Sequence, residues 1–215
     1  MRTHFHDNPA MAGAGSTAIK DQLRNVKKER IMSEALRLFY AHGFRGTSLD
    51  AIAEAMQVTK PFVYGVYDKK TDILFDISLR NINSSLEAIE GGASSGGTPT
   101  ERLTEVSRRL TRVCIEHREA VAVFFRDENS LEPEQLAVIN ERKGLFDEAL
   151  AGLLQEGADA GEFNLVDART TALAIGGMIS WTYLWYRPQG RLSAETLMDQ
   201  MARYALRIAG ARQPG

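Results

Sequence analysis

TSLDAIAEAMQVTKPFVYGVYDKKTDIL, residues 47–74, reads as two short helices joined by a tight turn and followed at once by a third helix with lysines at its mouth. Leu49, Ile52, Ala53 and Met56 recur at helical spacing, and Thr47 with Asp50 predicts a capping box at the start. Val58 and Thr59 then break the periodicity. Thr59 is the predicted N-cap of the next helix, with Pro61 in its first turn, where the missing N–H costs nothing. A helix of about eight residues, a short turn and another short helix are the dimensions of a helix-turn-helix DNA reader. An ordinary helical hairpin shares that spacing, so the choice rests on the rest of the chain.

Upstream, a helix is predicted from about Asn25 to His42, with Ile31, Ala35, Leu38 and Phe39 on one face and Gly43 ending it. Residues 1–22 are rich in Ala, Gly, Ser and Thr and are expected to form a disordered arm. Downstream, a helix from Lys70 to about Ile89 carries Ile73, Leu74, Ile77 and Leu86 inward, and GGASSGGTP, residues 91–99, predicts a loop. Further helices are expected over 100–118, 120–128, Pro133 to Ala158, Asp167 to Tyr186 and Ser193 to Ala209. Neither an alternating strand pattern nor a fixed-period repeat is visible. The fold class is all-α, with about nine helices.

Composition narrows the function classes. The 215 residues, 44% hydrophobic and 25% charged, suit a soluble globular protein with a DNA-sized module and a ligand-sized domain. No apolar run reaches the roughly 18 residues of a membrane span, and the N-terminus lacks the layout of a secretory signal, so a cytoplasmic protein is expected. The single Cys114 cannot form an internal disulfide and reads as a small buried hydrophobe. His4 and His6 lack further ligands, so no metal or cofactor is expected. HExxH, CxxC, Walker and GxGxxG patterns are all absent, which argues against an enzyme. The net charge of −2 hides an asymmetry. Residues 1–70 hold 11 Lys+Arg against 7 Asp+Glu, a net of +4, whereas residues 71–215 hold 15 against 21, a net of −6. A basic head that neutralises phosphates, on an acidic body that does not, fits this division.

The stretch GFRGTSLDAIAEAMQVTKPFVYGVYDKKTDIL, from Gly43 to Leu74, resembles the DNA-binding domain of the tetracycline-repressor (TetR) family. The matching positions are Gly43, Phe44, Thr47, Ser48, Ile52, Ala53, Val58, Thr59, Lys60, Tyr64, Tyr67, Lys70 and Leu74. Two departures are Gly65, where the family often has a larger residue, and Met56-Gln57, where Ala-Gly is commoner. The resemblance covers roughly residues 26–76. It implies domains over 23–70 (helix-turn-helix) and 71–212 (ligand binding and dimerisation), and a ligand-responsive repressor on palindromic operator DNA. It also implies Lys60 and Tyr64 as base-reading residues, with Thr47, Ser48, Tyr67 and Lys70 on phosphates. Phe62 is placed to press on a thymine methyl and Val63 faces the core. Packing within the small domain is the competing role for Tyr64 and Tyr67, and a solvated charge for Lys60 and Lys70. One such head buries little surface, so a homodimer is expected. The small residues of ALAIGGMIS, 172–180, and the stripe Leu197, Met201, Tyr204, Ala205, Ile208 fit the family's dimer helices.

WTYLWYRPQGRLS, residues 181–193, resembles the C-terminal domain of acyl-CoA-responsive members that govern steroid-ring, fatty-acid and phenylacetate catabolism. That resemblance implies an acyl-CoA or related catabolic intermediate as inducer, with Trp185 at the site and Arg187 and Arg191 receiving CoA phosphates or a carboxylate. Its acyl group then lies among Phe124, Phe125, Phe146 and Trp181. The same run also reads as a helix end and turn packed beside the dimer helices. A regulator of efflux with a hydrophobic, drug-like inducer is the alternative.

Overall fold

The computed structural model describes residues 10–211, with side chains from residue 19 onward. His4 and His6 therefore lie outside the described residues. Among those described there is no strand, and nine helices have five residues or more. They are α1 (Ala10–His42), α2 (Leu49–Ala55), α3 (Lys60–Tyr64), α4 (Lys70–Ala93), α5 (Pro99–Glu116), α6 (Arg118–Asp127), α7 (Pro133–Asp159), α8 (Ala168–Ser180) and α10 (Ala194–Ile208). A four-residue turn, α9 (Thr182–Trp185), and a 3-10 turn at Glu128–Ser130 complete the set. The chain divides into two compact units, the first ending at Ile73 and the second starting at Leu74.

The first helix departs from its sequence reading. It is helical from the first described residue, Ala10, so residues 10–22 of the expected disordered arm are helical. The reason is local: Ala and Met are strong helix formers, and they outweigh the isolated Gly13 and Gly15 in AMAGAGSTAIK. Its C-terminal part buries Ile31, Ala35, Leu38 and Phe39. Gly43, at φ +78°, ends it in the left-handed conformation that glycine adopts without strain. Phe44 then turns back to pack edge-on against Phe39, with ring centroids 5.2 Å apart.

The start of α2 also differs from expectation. Its N-cap is Ser48, whose hydroxyl accepts from the Ala51 N–H, rather than Thr47. Thr47 is buried and its hydroxyl donates to the Gly43 carbonyl. The turn between α2 and α3 forces Gln57 to φ +56°, the single positive-φ non-glycine among the described residues. This is the position where Met56-Gln57 departs from the commoner Ala-Gly.

In the second unit, α4 runs through Gly91 and Gly92 to Ala93, although the glycine-rich stretch predicted a loop there. Packing overrides propensity: a Cβ on Gly92 would lie 2.8 Å from the Val106 Cα, so only glycine lets α4 approach α5 this closely. A capping box on Thr98 and Glu101 starts α5. Glu162, from the loop after α7, accepts from both the Thr100 N–H (2.9 Å) and its hydroxyl (2.6 Å), tying distant chain segments at that helix start. The most extensive pairing in the unit is α5 on α10, with α7 on α8 next. Leu103, Val106 and Leu110 of α5 share a core with Leu150, Leu154, Ile175, Ile179, Leu197 and Met201. Arg108 ties this pair at the surface by bridging Glu195 and Asp199. The helix expected over Asp167 to Tyr186 is interrupted at Trp181, which separates α8 from α9. No helix among the described residues is long and apolar enough to cross a membrane.

Candidate functional site

On the first unit, α3 projects one polar face. Lys60 and Tyr64 stand one turn apart, the lysine side chain 66% exposed and the tyrosine 45% exposed. Val63, between them in sequence, is fully buried, as its place in the pattern predicted. The two exposed groups are tied to α2: the Lys60 ammonium donates to Asp50 Oδ2 at 2.7 Å, and the Tyr64 hydroxyl donates to Asp50 Oδ1 at 3.1 Å. The bond to Lys60 is the main reason that the Asp50 carboxyl is held below its usual range. The bond to Asp50 in turn raises both the Lys60 ammonium and the Tyr64 phenol. Nothing in the sequence marked Asp50 as part of this face, because a contact across ten and fourteen residues has no local signal.

Four other residues expected on DNA have different surroundings. Lys70 is turned inward, donating to the carbonyls of Phe44 and Thr47 at 2.8 Å each, with its ammonium 4.4 Å from the Phe44 ring centroid. The 43–47 turn leaves carbonyls outside any helix, and the Lys70 ammonium satisfies two of them. Thr47 is spent on Gly43, as described. Tyr67 is buried, with Lys28 at 5.9 Å from its ring. Phe62 is half-buried against α1, its ring 5.3 Å from the Lys27 ammonium and 5.9 Å from the Arg30 guanidinium, and it lines a surface depression with Leu23 and Pro61. Ser48 is exposed, as a phosphate contact requires.

The second unit holds a half-open cavity of about 340 Å³. Phe124, Phe125, Phe146 and Trp181, brought by α6, α7 and the end of α8, all line it. Phe125 also stacks on Tyr183 at 5.6 Å. Polar groups that the sequence reading did not place there share the wall: Asn81, Ser85, Lys143, Asp147 and Ser180. The Asn81 Oδ1 is buried with no hydrogen-bond partner. Lys143 pairs with Glu128 at 2.6 Å and lies 4.9 Å from the Phe124 ring. Burial raises the Asp147 carboxyl, against the opposing pull of Lys143 and Arg169. Cys114 also lines the cavity, and burial pushes its thiol up to about 12.

Trp185, Arg187 and Arg191 do not join this wall. They line a separate depression with Tyr186, Gly190 and Leu192. Arg187 donates to the Leu184 and Tyr186 carbonyls at 2.9 Å each, capping the end of α9. Among the described residues no group of acidic, histidine and cysteine side chains could hold a metal ion.

Comparison with known proteins agrees with this geometry. Residues 31–77 match the family described as bacterial regulatory proteins, tetR family, and residues 96–209 match the tetracyclin repressor-like C-terminal domain. The HTH-type transcriptional regulator HbdR of Aromatoleum sp. is 27% identical over 59% of this chain, which spans 55% of that relative's length. The HTH-type transcriptional repressor KstR2 of Rhodococcus jostii is 24% identical over 82% of this chain and 88% of its own. Among solved structures, AibR in complex with isovaleryl coenzyme A and operator DNA superposes with a TM-score of 0.75 at 26% identity. That match covers 86% of this chain and 100% of AibR. The chain therefore belongs to the tetR family of bacterial regulatory proteins, which are DNA-binding regulators rather than enzymes.

Proposed function

We propose that the protein is a cytoplasmic, homodimeric repressor that binds a palindromic operator through α3 and is released by a small acyl-CoA. The observation that carries the DNA half is the exposed Lys60–Tyr64 pair, one helical turn apart on the second helix of a helix-turn-helix. Ser48 supports it with a hydroxyl at the start of α2. Thr47 and Lys70 act behind this face, holding the turn that presents it.

The inducer reading rests on the cavity. Its volume of about 340 Å³ suits a short acyl group, and four aromatic side chains supply the apolar wall. Likeness to AibR, which was crystallised with isovaleryl coenzyme A, supports a thioester ligand. The nucleotide end of such a ligand must lie outside a cavity of this size. One observation favours a second reading: Asp147 places a carboxylate on the wall, which suits a cationic, drug-like inducer. Helix α4 supplies Lys70 to the first unit and Asn81, Ile82 and Ser85 to the cavity, so it is the element through which occupancy reaches the reading helix. To move operator occupancy from 99:1 to 1:99 the inducer must prefer the non-operator state by ~5.5 kcal/mol.

The test has two arms. A palindromic duplex selected from a randomised pool should bind wild-type protein and lose affinity by roughly 1–3 kcal/mol with Lys60→Ala or Tyr64→Ala. Undiminished binding by both variants overturns the DNA reading. A thermal-shift panel of short acyl-CoAs and hydrophobic cations should raise the melting temperature with the thioesters. A response to the cations alone replaces the inducer by the second class.

A further inference from the structure

Asp50 is an acidic side chain on the face where phosphates are expected, and its two oxygens are shared between the two groups that present themselves to bases. Lys60 Nζ lies 2.7 Å from Oδ2 and the Tyr64 hydroxyl 3.1 Å from Oδ1. All three side chains are solvent-accessible, with Asp50 at 47%, so the carboxylate is not needed to fill a core. It already belongs to a helix whose N-terminus Ser48 caps, so it has no capping duty to perform. The arrangement spans two helices and fixes both reading side chains before any DNA arrives.

From this geometry we propose that Asp50 is a specificity-determining residue: an internal competitor for Lys60 and Tyr64 that DNA displaces fully only where the operator offers base-edge acceptors in its place. The inference rests on the reading of Lys60 and Tyr64 as base contacts. A lysine without such a partner is attracted to any phosphate, and that attraction carries no sequence information. With Asp50 in place, a random duplex must break two hydrogen bonds and approach a carboxylate, gaining only diffuse attraction in return. The correct sequence replaces both bonds with bonds to base edges. Discrimination thus arises from a penalty applied to every sequence and offset at one. The carboxylate also selects the side-chain conformers of Lys60 and Tyr64, reducing the ordering cost at the moment of binding. The shifts of all three groups agree with a bonded cluster in the free protein.

The experiment compares wild-type protein with Asp50→Asn on the selected palindrome and on a scrambled duplex of equal length, each across a salt series. Asn keeps the shape and removes the charge. Neutralising one carboxylate frees about one additional counterion on binding. Affinity for the scrambled duplex should therefore rise about tenfold near 0.1 M salt, with the log–log salt slope steeper by about 0.9. The palindrome should gain less, so the ratio of the two affinities falls. On a Lys60→Met, Tyr64→Phe background, Asp50→Asn should leave that ratio unchanged, because the competitor no longer has anything to hold. Ultraviolet titration of the free protein adds a readout without DNA: the Tyr64 ionisation midpoint should drop in Asp50→Asn. An unchanged ratio with unchanged melting temperature overturns the proposal, as does an equal ratio change on the Lys60/Tyr64-deleted background. Undiminished palindrome binding by the Lys60 and Tyr64 variants would instead remove the reading beneath it, so the two failures are separable.

Discussion

Gln57 carries a cost visible only once its backbone is seen. At φ +56° its Cβ crowds the chain, a conformation that glycine adopts freely. Replacing Gln57 by Gly should stabilise the protein by up to about 1 kcal/mol, since relief of the strain exceeds the added freedom of the unfolded chain. Urea denaturation of the variant checks this, and a loss of stability would show that the Gln57 side chain makes a compensating contact. Cys114 makes a prediction of the opposite kind. Its thiol is raised from near 9 to about 12, so it stays protonated through the neutral range, and maleimide should label it far more slowly than the denatured chain. The sign follows from the raised value. This contribution to stability is complete below pH 9 and declines as pH climbs from 9 towards 12, because the unfolded thiol ionises first. A single residue type at a known motif position, such as Lys60 or Val63, was readable from sequence. The partners of those residues were not, because Asp50 reaches them through folding rather than spacing.

For the helices, periodicity located nearly every segment, and the misses have separable causes. The start of α1 was misjudged because alanine-rich sequence satisfies both a flexible arm and a helix. The end of α4 was misjudged because Gly91 and Gly92 were read as breakers, whereas close packing on α5 requires Gly92. That claim is testable: Gly92→Ala should destabilise by about 1–3 kcal/mol, as an added methyl must displace the Val106 backbone. Calorimetry measures it, and an unchanged transition would mean that the helices separate at little cost. Lys70 teaches a related lesson. Its position matches a DNA-contact pattern, yet its ammonium is committed to two loop carbonyls. Resemblance marked the position, whereas its bonds to the turn ahead of α2 arise through folding and had no signal in the sequence.

At the scale of the whole chain the charge division, from basic head to acidic helical body, was legible, and Phe124, Phe125, Phe146 and Trp181, expected together around an acyl group, do meet on one cavity wall. Trp185, Arg187 and Arg191 line a separate depression, and periodicity carries no signal for where the irregular turn after Trp185 places them. The expected dimer stripe divides likewise. Leu197, Met201 and Ala205 are buried in the unit's own core, while Tyr204 and Ile208 of α10 are exposed, as are Leu173 of α8 and Leu184 after it. An outward apolar row of this kind fits the proposed two-fold pairing. Tyr204→Glu with Ile208→Glu should leave the fold intact, halve the mass seen by sedimentation and weaken operator binding. A variant that still sediments as a dimer would place the interface on other residues.

The chain has only two tryptophans, Trp181 on the cavity wall and Trp185 outside it. With Trp185 replaced by Phe, all indole emission arises from a single ring on the wall of the proposed inducer cavity. The protein then reports its own occupancy by fluorescence, so candidate effectors can be titrated without any label and before the operator sequence is known.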